Sequence, residues 1–128
     1  VSAKLDIIER CKSVEVPIIS CMGCGNRIDP TKLAIMDIAK TSMDPLAKVI
    51  RKGLKDRRIK GVKVLCSTEE PIVPILPEGG EAESKGTAGR VAPGSTPFVP
   101  AAAGLAIASE VVKDLTGFDS RKRTKGGR

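Results

Sequence analysis

Residues 21–54, CMGCGNRIDPTKLAIMDIAKTSMDPLAKVIRKGL, decide the fold. They follow a short aliphatic segment, 16–20, whose pattern predicts a buried strand of a parallel sheet. A glycine-containing turn comes next, and residues 33–38 predict a second strand. Asp44 and Pro45 suit the N-cap and the first position of a basic helix. A glycine-rich turn after a strand predicts a ligand-facing edge of an α/β sheet.

The rest of the chain supplies the other elements of this α/β unit. Residues 2–12 predict a helix with Ser2 as its N-cap, and residues 62–66 predict a third strand. Residues 70–100 are rich in proline and glycine and predict a long loop. A last helix is predicted over 100–115, and its apolar side chains are expected to be buried: Leu105, Ala108, Val111, Val112 and Leu115. We expect residues 1–117 to form one unit and residues 118–128 a basic, disordered tail.

Composition excludes several classes of function. The chain has no histidine, so a Ser-His-Asp triad within it is impossible. Aromatic residues are only 2%, which argues against modules that stack bases on aromatic side chains. The net charge of +7 is concentrated in the second helix and the tail, a pattern that suits a phosphate-rich partner. A solvated helix face is the alternative explanation.

Four cysteines are present, and two of them form the C-x-x-C pair Cys21 and Cys24. A single pair is insufficient for a zinc site, so no metal site is predicted. Cys21, Cys24 and Cys66 are candidates for a nucleophilic or redox role, and a purely structural role is the alternative. No secretory signal and no apolar run of membrane-spanning length is visible, so a reducing cytoplasm and no membrane span are predicted.

Polar and glycine residues at the expected sheet edge are the candidates for contact with a substrate or nucleotide. The Gly23-x-Gly25 turn lacks the third glycine of a dinucleotide-binding motif, but it still suits a ligand-facing turn. A cation beside a helix N-terminus attracts anions, although an ordinary capped helix gives the same pattern. The candidates are Gly23, Gly25, Asn26, Lys40, Thr41, Asp44, Ser67 and Thr68.

Three segments together resemble a known family. They are Cys21-x-Gly23-x-Gly25-x-x-Ile28-Asp29-Pro30, Asp37-Ile38-Ala39-Lys40-Thr41-x-x-Asp44-Pro45-Leu46 and Ser67-Thr68-Glu69. They resemble the C-terminal half of ThiF/MoeB/HesA-type (ubiquitin-activating-like) adenylating enzymes, especially the tRNA threonylcarbamoyladenosine dehydratase group. Phe98-Val99-Pro100 and the helix over 104–115 fit the same family. The resemblance runs through almost the whole chain and is weakest over 78–89 and the tail.

The resemblance implies the C-terminal half of a Rossmann-like adenylating-enzyme fold, with a mixed sheet flanked by helices. In such enzymes a carboxylate attacks the α-phosphate of ATP to give an acyl-adenylate and pyrophosphate. The residues that hold ATP and Mg²⁺ are expected upstream of Val1. The isolated chain is therefore expected to bind no cofactor and to be inactive.

Two branches of the family differ in substrate. In the dehydratase branch the activated carboxylate belongs to a threonylcarbamoyl group on tRNA adenosine, which is closed into a ring. In the sulfur-carrier branch the carboxylate is a protein C-terminus, and two C-x-x-C pairs hold zinc. One pair here favours the tRNA branch. Some dehydratase relatives carry a cysteine in the region matching 70–100; this loop has none, so Cys21, Cys24 or Cys66 would have to supply any catalytic thiol.

The resemblance gives the basic helix a partner, because non-specific phosphate contacts need no aromatic residues. The expected contacts to the tRNA backbone are Lys48, Arg51, Lys52, Lys55, Arg57 and Arg58. A sulfur-carrier or sulfur-transfer protein remains an alternative partner, and a non-enzymatic RNA- or partner-binding module is the third hypothesis. An exposed sheet edge predicts a homodimer.

Overall fold

The computed structural model of the 128-residue chain describes residues 1–75, 92–119 and 121–122. The helices are α1 (Ser2–Ser13), α2 (Pro45–Asp56) and α3 (Phe98–Thr116). The strands are β1 (Ile19–Cys21), β2 (Leu33–Asp37) and β3 (Lys63–Ser67). Two single 3₁₀ turns, Pro30–Lys32 and Ile38–Lys40, flank β2. The elements thus alternate as expected for the predicted α/β class.

The three strands form one mixed sheet in the order β1-β3-β2. β1 runs parallel to β3, with Cys21 opposite Leu65, whereas β2 runs antiparallel to β3, with Leu33 opposite Ser67. The carboxyl ends of β1 and β3 therefore meet at one edge, where β2 begins. The predicted mixed sheet flanked by helices is confirmed.

One face of the sheet packs against α1 and α2. Strand side chains alternate between faces, so Val64 and Cys66 point to one side and Leu65 to the other. Val64 and Cys66 belong to one continuous apolar cluster with Ile8 of α1 and Ile50 of α2. Ile8, Ile50 and Val64 are completely inaccessible to solvent. This cluster is the main core of the described chain.

Helix α2 begins and packs as its sequence predicts. Asp44 is the N-cap, its carboxylate accepts a hydrogen bond from the Ala47 N–H at 3.0 Å, and Pro45 occupies the first helical position. Gly53 permits the close approach of α1, because a Cβ atom there would lie 2.5 Å from Cδ1 of Leu5.

The prediction of a buried apolar face on α3 is wrong. Leu105, Ala108, Val111, Val112 and Leu115 are all exposed. Leu105 and Leu115 expose 74% and 81% of their surface. The helix buries only Val99 and Ala103, which face the sheet on the opposite side of the helix from most of the predicted stripe.

The remaining part of α3 is attached to the sheet by charge. Lys63 on β3 donates to Glu110 at 3.0 Å and to Asp114 at 2.7 Å. Val111 and Leu115 line an open groove beside Ile18 and Ile19 without filling it, and they therefore remain exposed.

Three smaller predictions also need correction. Ser2 lies inside α1, whose N-cap is Val1 without a side-chain hydrogen bond. The first strand begins at Ile19 instead of residue 16, because the Val16 N–H closes the end of α1 by donating to the Cys11 carbonyl. Helix α3 begins at Phe98, since a proline in the first turn of a helix loses no hydrogen bond. The centre of the predicted 70–100 loop and most of the predicted tail lie outside the described residues.

Candidate functional site

Asp44 connects the three segments that meet at the carboxyl ends of β1 and β3. Its Oδ2 accepts a hydrogen bond from the Gly23 N–H at 2.8 Å, while its Oδ1 caps α2. The thiol of Cys66, at the end of β3, lies 3.6 Å from the same Oδ2. Only 4% of Asp44 is exposed. One buried carboxylate thus fixes the glycine turn, the third strand and the start of α2 relative to one another.

The Cys21 and Cys24 thiols form a close pair beside this carboxylate. Their Sγ atoms are 3.7 Å apart, and Lys4 of α1 donates to the Cys21 carbonyl at 2.9 Å. Burial, together with the nearby Cys24, raises the pKa of the Cys21 thiol to about 12. At neutral pH Cys21 is therefore a protonated thiol and a poor nucleophile.

Cys66 lies in the core behind the pair. Burial, with the neighbouring Asp44 carboxylate as the second cause, raises the pKa of its thiol to about 11. Among the described residues, burial and the neighbouring thiol or carboxylate outweigh the effect of nearby cations on both Cys21 and Cys66, which is the opposite of the surroundings that activate a catalytic cysteine. These two thiols fit structural roles better than nucleophilic ones.

The turn after β1 is covered by the chain that precedes α3. The Asn26 N–H donates to the Gly94 carbonyl at 2.8 Å, and the Gly94 N–H donates back to Oδ1 of Asn26 at 2.7 Å. The Asn26 carbonyl also accepts from the N–H of Ile72 at 2.8 Å. A Cβ atom on Gly25 would lie 2.7 Å from Cβ of Pro93, so this glycine permits close backbone packing. Gly25 and Asn26 thus hold both described ends of the 70–100 segment.

The end of β3 contributes contacts that also fix the loop. Oγ of Ser67 accepts from the Glu69 N–H at 3.1 Å, and Oγ1 of Thr68 donates to the Lys32 carbonyl at 2.9 Å. The Glu69 carboxylate accepts from the N–H groups of Ile28 and Asp29. Ser67 and Thr68 therefore lie at the same edge as Gly23 and Gly25, as predicted.

Lys40 and Thr41 are separated from that edge. Because β2 is antiparallel, the 3₁₀ turn Ile38–Lys40 leaves the sheet at its opposite end, where the Ile38 N–H donates to the Val62 carbonyl. Oγ1 of Thr41 donates to the Ile38 carbonyl at 2.7 Å. The structure therefore divides the predicted edge residues between the two ends of the sheet.

Arg27 is a residue of the site that sequence reasoning missed. Its side chain is buried, and Nη2 donates to the Met43 carbonyl at 2.7 Å, just before the Asp44 cap. Within the described part of the chain, Nε and Nη1 have no hydrogen-bond partner. An arginine in a turn is usually exposed, and nothing in the local sequence indicates this burial.

The predicted tRNA-contacting residues of α2 fall into two groups. Lys48, Lys52, Lys55 and Arg58 are exposed. Arg57 instead forms salt bridges with Asp6 at 2.9 Å and Glu9 at 2.8 Å on α1. Nη1 of Arg51 donates to the Thr41 carbonyl at 2.7 Å, and its pairing with Oγ1 of the same threonine is closer still. Two of the six cations thus stabilise the fold.

Neither a metal site nor a membrane span is found among the described residues. They contain no group of three or more histidine, cysteine, aspartate or glutamate side chains placed to hold a metal ion. No helix among them is both long and apolar enough to cross a bilayer.

Comparison with known proteins gives a consistent result. No protein-family model matches the chain. The tRNA threonylcarbamoyladenosine dehydratase of Bacillus subtilis is 41% identical to it over 126 residues, which are 95% of this chain and 50% of that protein. The crystal structure of the E. coli tRNA N6-threonylcarbamoyladenosine dehydratase with AMP matches with a TM-score of 0.71 at 30% identity, covering 89% of this chain and 44% of that one. Its complex with ATP also gives 0.71, at 28% identity and 93% and 45% coverage.

The mixed sheet, the sequence likeness and the structural likeness are together consistent with a fragment of a ThiF/MoeB/HesA-type adenylating enzyme. It spans about half the length of the relatives that it matches. Within that family the chain is similar to the tRNA threonylcarbamoyladenosine dehydratases of B. subtilis and E. coli. The family resemblance predicted from the sequence is confirmed.

Proposed function

We propose that the chain is the substrate-side half of an ATP-dependent tRNA threonylcarbamoyladenosine dehydratase. The observation that carries the proposal is the 41% identity to the B. subtilis enzyme of that name along 95% of the chain. The fold match to the E. coli enzyme in its complexes with AMP and ATP supports the same assignment.

The proposed reaction activates a carboxylate for ring closure. The carboxylate of the threonylcarbamoyl group attacks the α-phosphate of ATP, and pyrophosphate leaves. A nucleophile of the same modified adenosine then attacks the acyl carbon, and AMP leaves. Adenylation is required because a carboxylate is a poor electrophile, whereas AMP is a good leaving group.

The glycine turn after β1 does not fit the phosphates of ATP. The backbone donors of a phosphate-binding loop must be free, but the Gly23 N–H is bound to Asp44 and the Asn26 N–H to Gly94. We therefore assign ATP and Mg²⁺ to the half of the relatives that this chain does not span. On this proposal the isolated chain is inactive.

The cationic face of α2 supports tRNA as the partner. Lys48, Lys52 and Lys55 are exposed on it and Arg58 is exposed just after the helix. Phosphate contacts supply most of the non-specific affinity of proteins for nucleic acids. The proposal leaves Arg51 and Arg57 a secondary part, because each is already bound within the chain.

A chimeric enzyme tests the proposed function. The chain would replace the matching half of the B. subtilis dehydratase, and tRNA carrying threonylcarbamoyladenosine would be the substrate. Mass spectrometry of the nucleosides should show ATP-dependent loss of one water, as with the parent enzyme. A chimera that folds and binds ATP but leaves the nucleoside unchanged would contradict the proposal. The isolated chain and a reaction without ATP are the controls.

An activating enzyme for a ubiquitin-like sulfur carrier is the second candidate. The close pair of Cys21 and Cys24 thiols is the feature shared with that branch, which holds zinc with two C-x-x-C pairs, whereas this chain has one pair and is therefore the weaker match. It predicts bound zinc by elemental analysis and ATP-dependent adenylation of a small protein that ends in Gly-Gly. Absence of both, with RNA binding retained, would reject this candidate.

We also propose that the chain forms a homodimer in the cytoplasm. Its free cysteines suit a reducing compartment, and the exposed apolar side chains of α3 provide a surface for association. Light scattering at rising concentration should give the mass of a dimer. A monomeric mass throughout would refute the association, and a Leu105→Glu and Leu115→Glu double variant should abolish it.

A further inference from the structure

A large groove among the described residues lies away from the edge at Asp44. It is a groove of about 1200 Å³ between the 3₁₀ turn Ile38–Lys40 and the second half of α2. Its apolar lining comes from Ile38, Ala39, Leu54 and Ile59. Neither the Asp44 cluster nor the cysteine pair contributes to it, so it is a separate surface feature.

The residues around the groove are strongly cationic. Lys48, Arg51, Lys52, Lys55, Arg58 and Lys60 all line it. The one acidic residue in the lining is Asp37, whose carboxylate already accepts a hydrogen bond from the Ala39 N–H at 2.8 Å. An excess of this size attracts a polyanion and repels a cationic partner.

The local fold sets this arrangement. Lys48, Lys52 and Lys55 follow one another at helical spacing and therefore share a face of α2. Arg58, just after the helix, has φ of 56°, in the left-handed region that favours glycine. A bulky cation at this unfavourable position lines the groove from its C-terminal end.

We infer that this groove binds an unpaired segment of RNA, with phosphates on the surrounding cations and the apolar faces of base or ribose against Ala39 and Ile59. The inference rests on the proposed function, from which RNA follows as the partner. It adds the place on the chain where RNA binds. The match of charge between the groove and an RNA backbone is the observation that carries it.

The apolar floor favours unpaired RNA over a duplex. A duplex touches proteins mainly through phosphates and hydroxyls, which need cations but no apolar floor. Unpaired bases expose faces that pack on side chains, including the guanidinium plane of arginine where aromatics are lacking. The groove has two arginines, Arg51 and Arg58. Arg51 is bonded to Thr41, whereas Arg58 makes no hydrogen bond to another side chain among the described residues, so its guanidinium plane can pack against a base.

RNA binding by the 128-residue chain is the direct test. Fluorescence anisotropy would compare a short single-stranded RNA with a duplex of the same length over a range of salt concentrations. The variant Lys52→Gln, Lys55→Gln, Arg58→Gln should weaken single-strand binding by about tenfold or more at low salt. It should also reduce the slope of log affinity against log salt by about 2, since each phosphate contact contributes about 0.7 for single strands.

A matched control removes three exposed cations outside both the groove and the basic tail, Arg10→Gln, Lys32→Gln and Lys113→Gln. It should change affinity far less, because these residues do not line the groove. Ala39→Glu, an exposed change in the floor, should weaken single-strand binding more than duplex binding. Equal losses in both triple variants, or no preference for single strands, would overturn the inference.

Two further outcomes separate this inference from the proposed function. If the chimeric enzyme dehydrates tRNA normally while carrying the Lys52, Lys55 and Arg58 changes, the groove is not the RNA site and the function stands. If the chain binds RNA in the groove but the chimera is inactive, the proposed function fails and the groove assignment remains. Tighter binding of polyglutamate than of RNA would assign the groove to an acidic protein instead.

Discussion

The two faces of the sheet are covered by different means. On one face α1 and α2 pack against β3 through a continuous apolar cluster, in which Ile8 and Ile50 have no exposed surface. On the other face α3 buries only Val99 and Ala103 and is otherwise held by Lys63. The comparison shows that an apolar helix can lie on a sheet and still leave most of its apolar surface uncovered.

The difference has an energetic consequence. Burial of apolar area contributes about 25 cal/mol per Å², whereas an exposed salt bridge contributes about 0–1 kcal/mol. We therefore expect the stability of the described chain to depend mainly on the α1/α2 face. The following predictions test this asymmetry, beginning with the largest effect.

Truncation of a core side chain on the packed face should have the largest effect. Leu54→Ala should lower the free energy of unfolding by about 2–5 kcal/mol, because Leu54 is 2% exposed and the cavity cannot fill easily. Leu105→Ala on α3 is the matched control and should change it by about 0.5 kcal/mol or less. Urea unfolding followed by circular dichroism measures both. Equal losses in the two variants would remove the proposed asymmetry.

Two glycine-to-alanine substitutions should change the stability by smaller amounts, one raising it and the other lowering it. Alanine in a helix is favoured over glycine by about 1 kcal/mol, so Gly104→Ala, whose Cβ meets no atom within 4 Å, should stabilise the chain. Gly53→Ala should destabilise it by about 1–3 kcal/mol, because the new Cβ would lie 2.5 Å from Leu5 on the packed face. Thermal unfolding of both variants decides the signs, and stabilisation by Gly53→Ala would contradict the close packing of α1 on α2.

The packed face was the part of the fold that the sequence predicted well. The Asp44-Pro45 cap is local and acts within four residues, so its signal is complete in the sequence. The sequence predicts an apolar stripe on α2 made of Leu46, Val49, Ile50 and Leu54; Ile50 and Leu54 are buried as predicted, whereas Leu46 is half-buried and Val49 is exposed. Local capping and periodicity are thus sufficient where a helix finds an apolar partner within the chain.

The exposure of α3 and some contacts of the site could not be predicted from the sequence, because they depend on packing between distant segments. Periodicity shows which helix residues are apolar but not whether a partner covers them, so exposed Leu105 and Leu115 were predicted as buried. The burial of Arg27 depends on Met43, sixteen residues away, and no local pattern encodes such a contact. The separation of Lys40 from Gly23 follows from the antiparallel direction of β2, which spacing alone did not fix.

Removing the charged attachment of α3 should have a smaller effect. Lys63→Met should lower the free energy of unfolding by about 0–1 kcal/mol, because the side chains of the lysine and of its partner Asp114 are 38% and 54% exposed. The loss should shrink further at high salt, which screens exposed charges. Lys32→Met, an exposed lysine without a salt bridge in the described structure, is the control. A loss above about 2 kcal/mol in urea unfolding would show that Lys63 holds α3 more strongly than an exposed salt bridge does, and it would contradict the proposed difference between the two faces.

The thiols of Cys21 and Cys66 should have the smallest effect of all. They should change the pH dependence of the free energy of unfolding only in alkaline solution. Folding raises the pKa of Cys21 to about 12 and that of Cys66 to about 11, from an ordinary value of 9.0, chiefly through burial. The folded state therefore keeps these protons when the unfolded chain has lost them. Their stabilising contribution is complete below about pH 9 and declines as the pH rises towards the folded-state values.

Urea unfolding at a series of pH values measures this decline. The free energy of unfolding should fall more steeply above pH 9.0 in the natural chain than in a Cys21→Ser, Cys66→Ser double variant. The single variants Cys21→Ser and Cys66→Ser show how much of the alkaline decline each thiol causes. Cys66 lies in the packed face and is 1% exposed, whereas Cys21 lies at the end of β1. An identical alkaline decline in all four proteins would show that neither thiol is protected by the fold, and the assignment of both as structural thiols would then lose its physical basis.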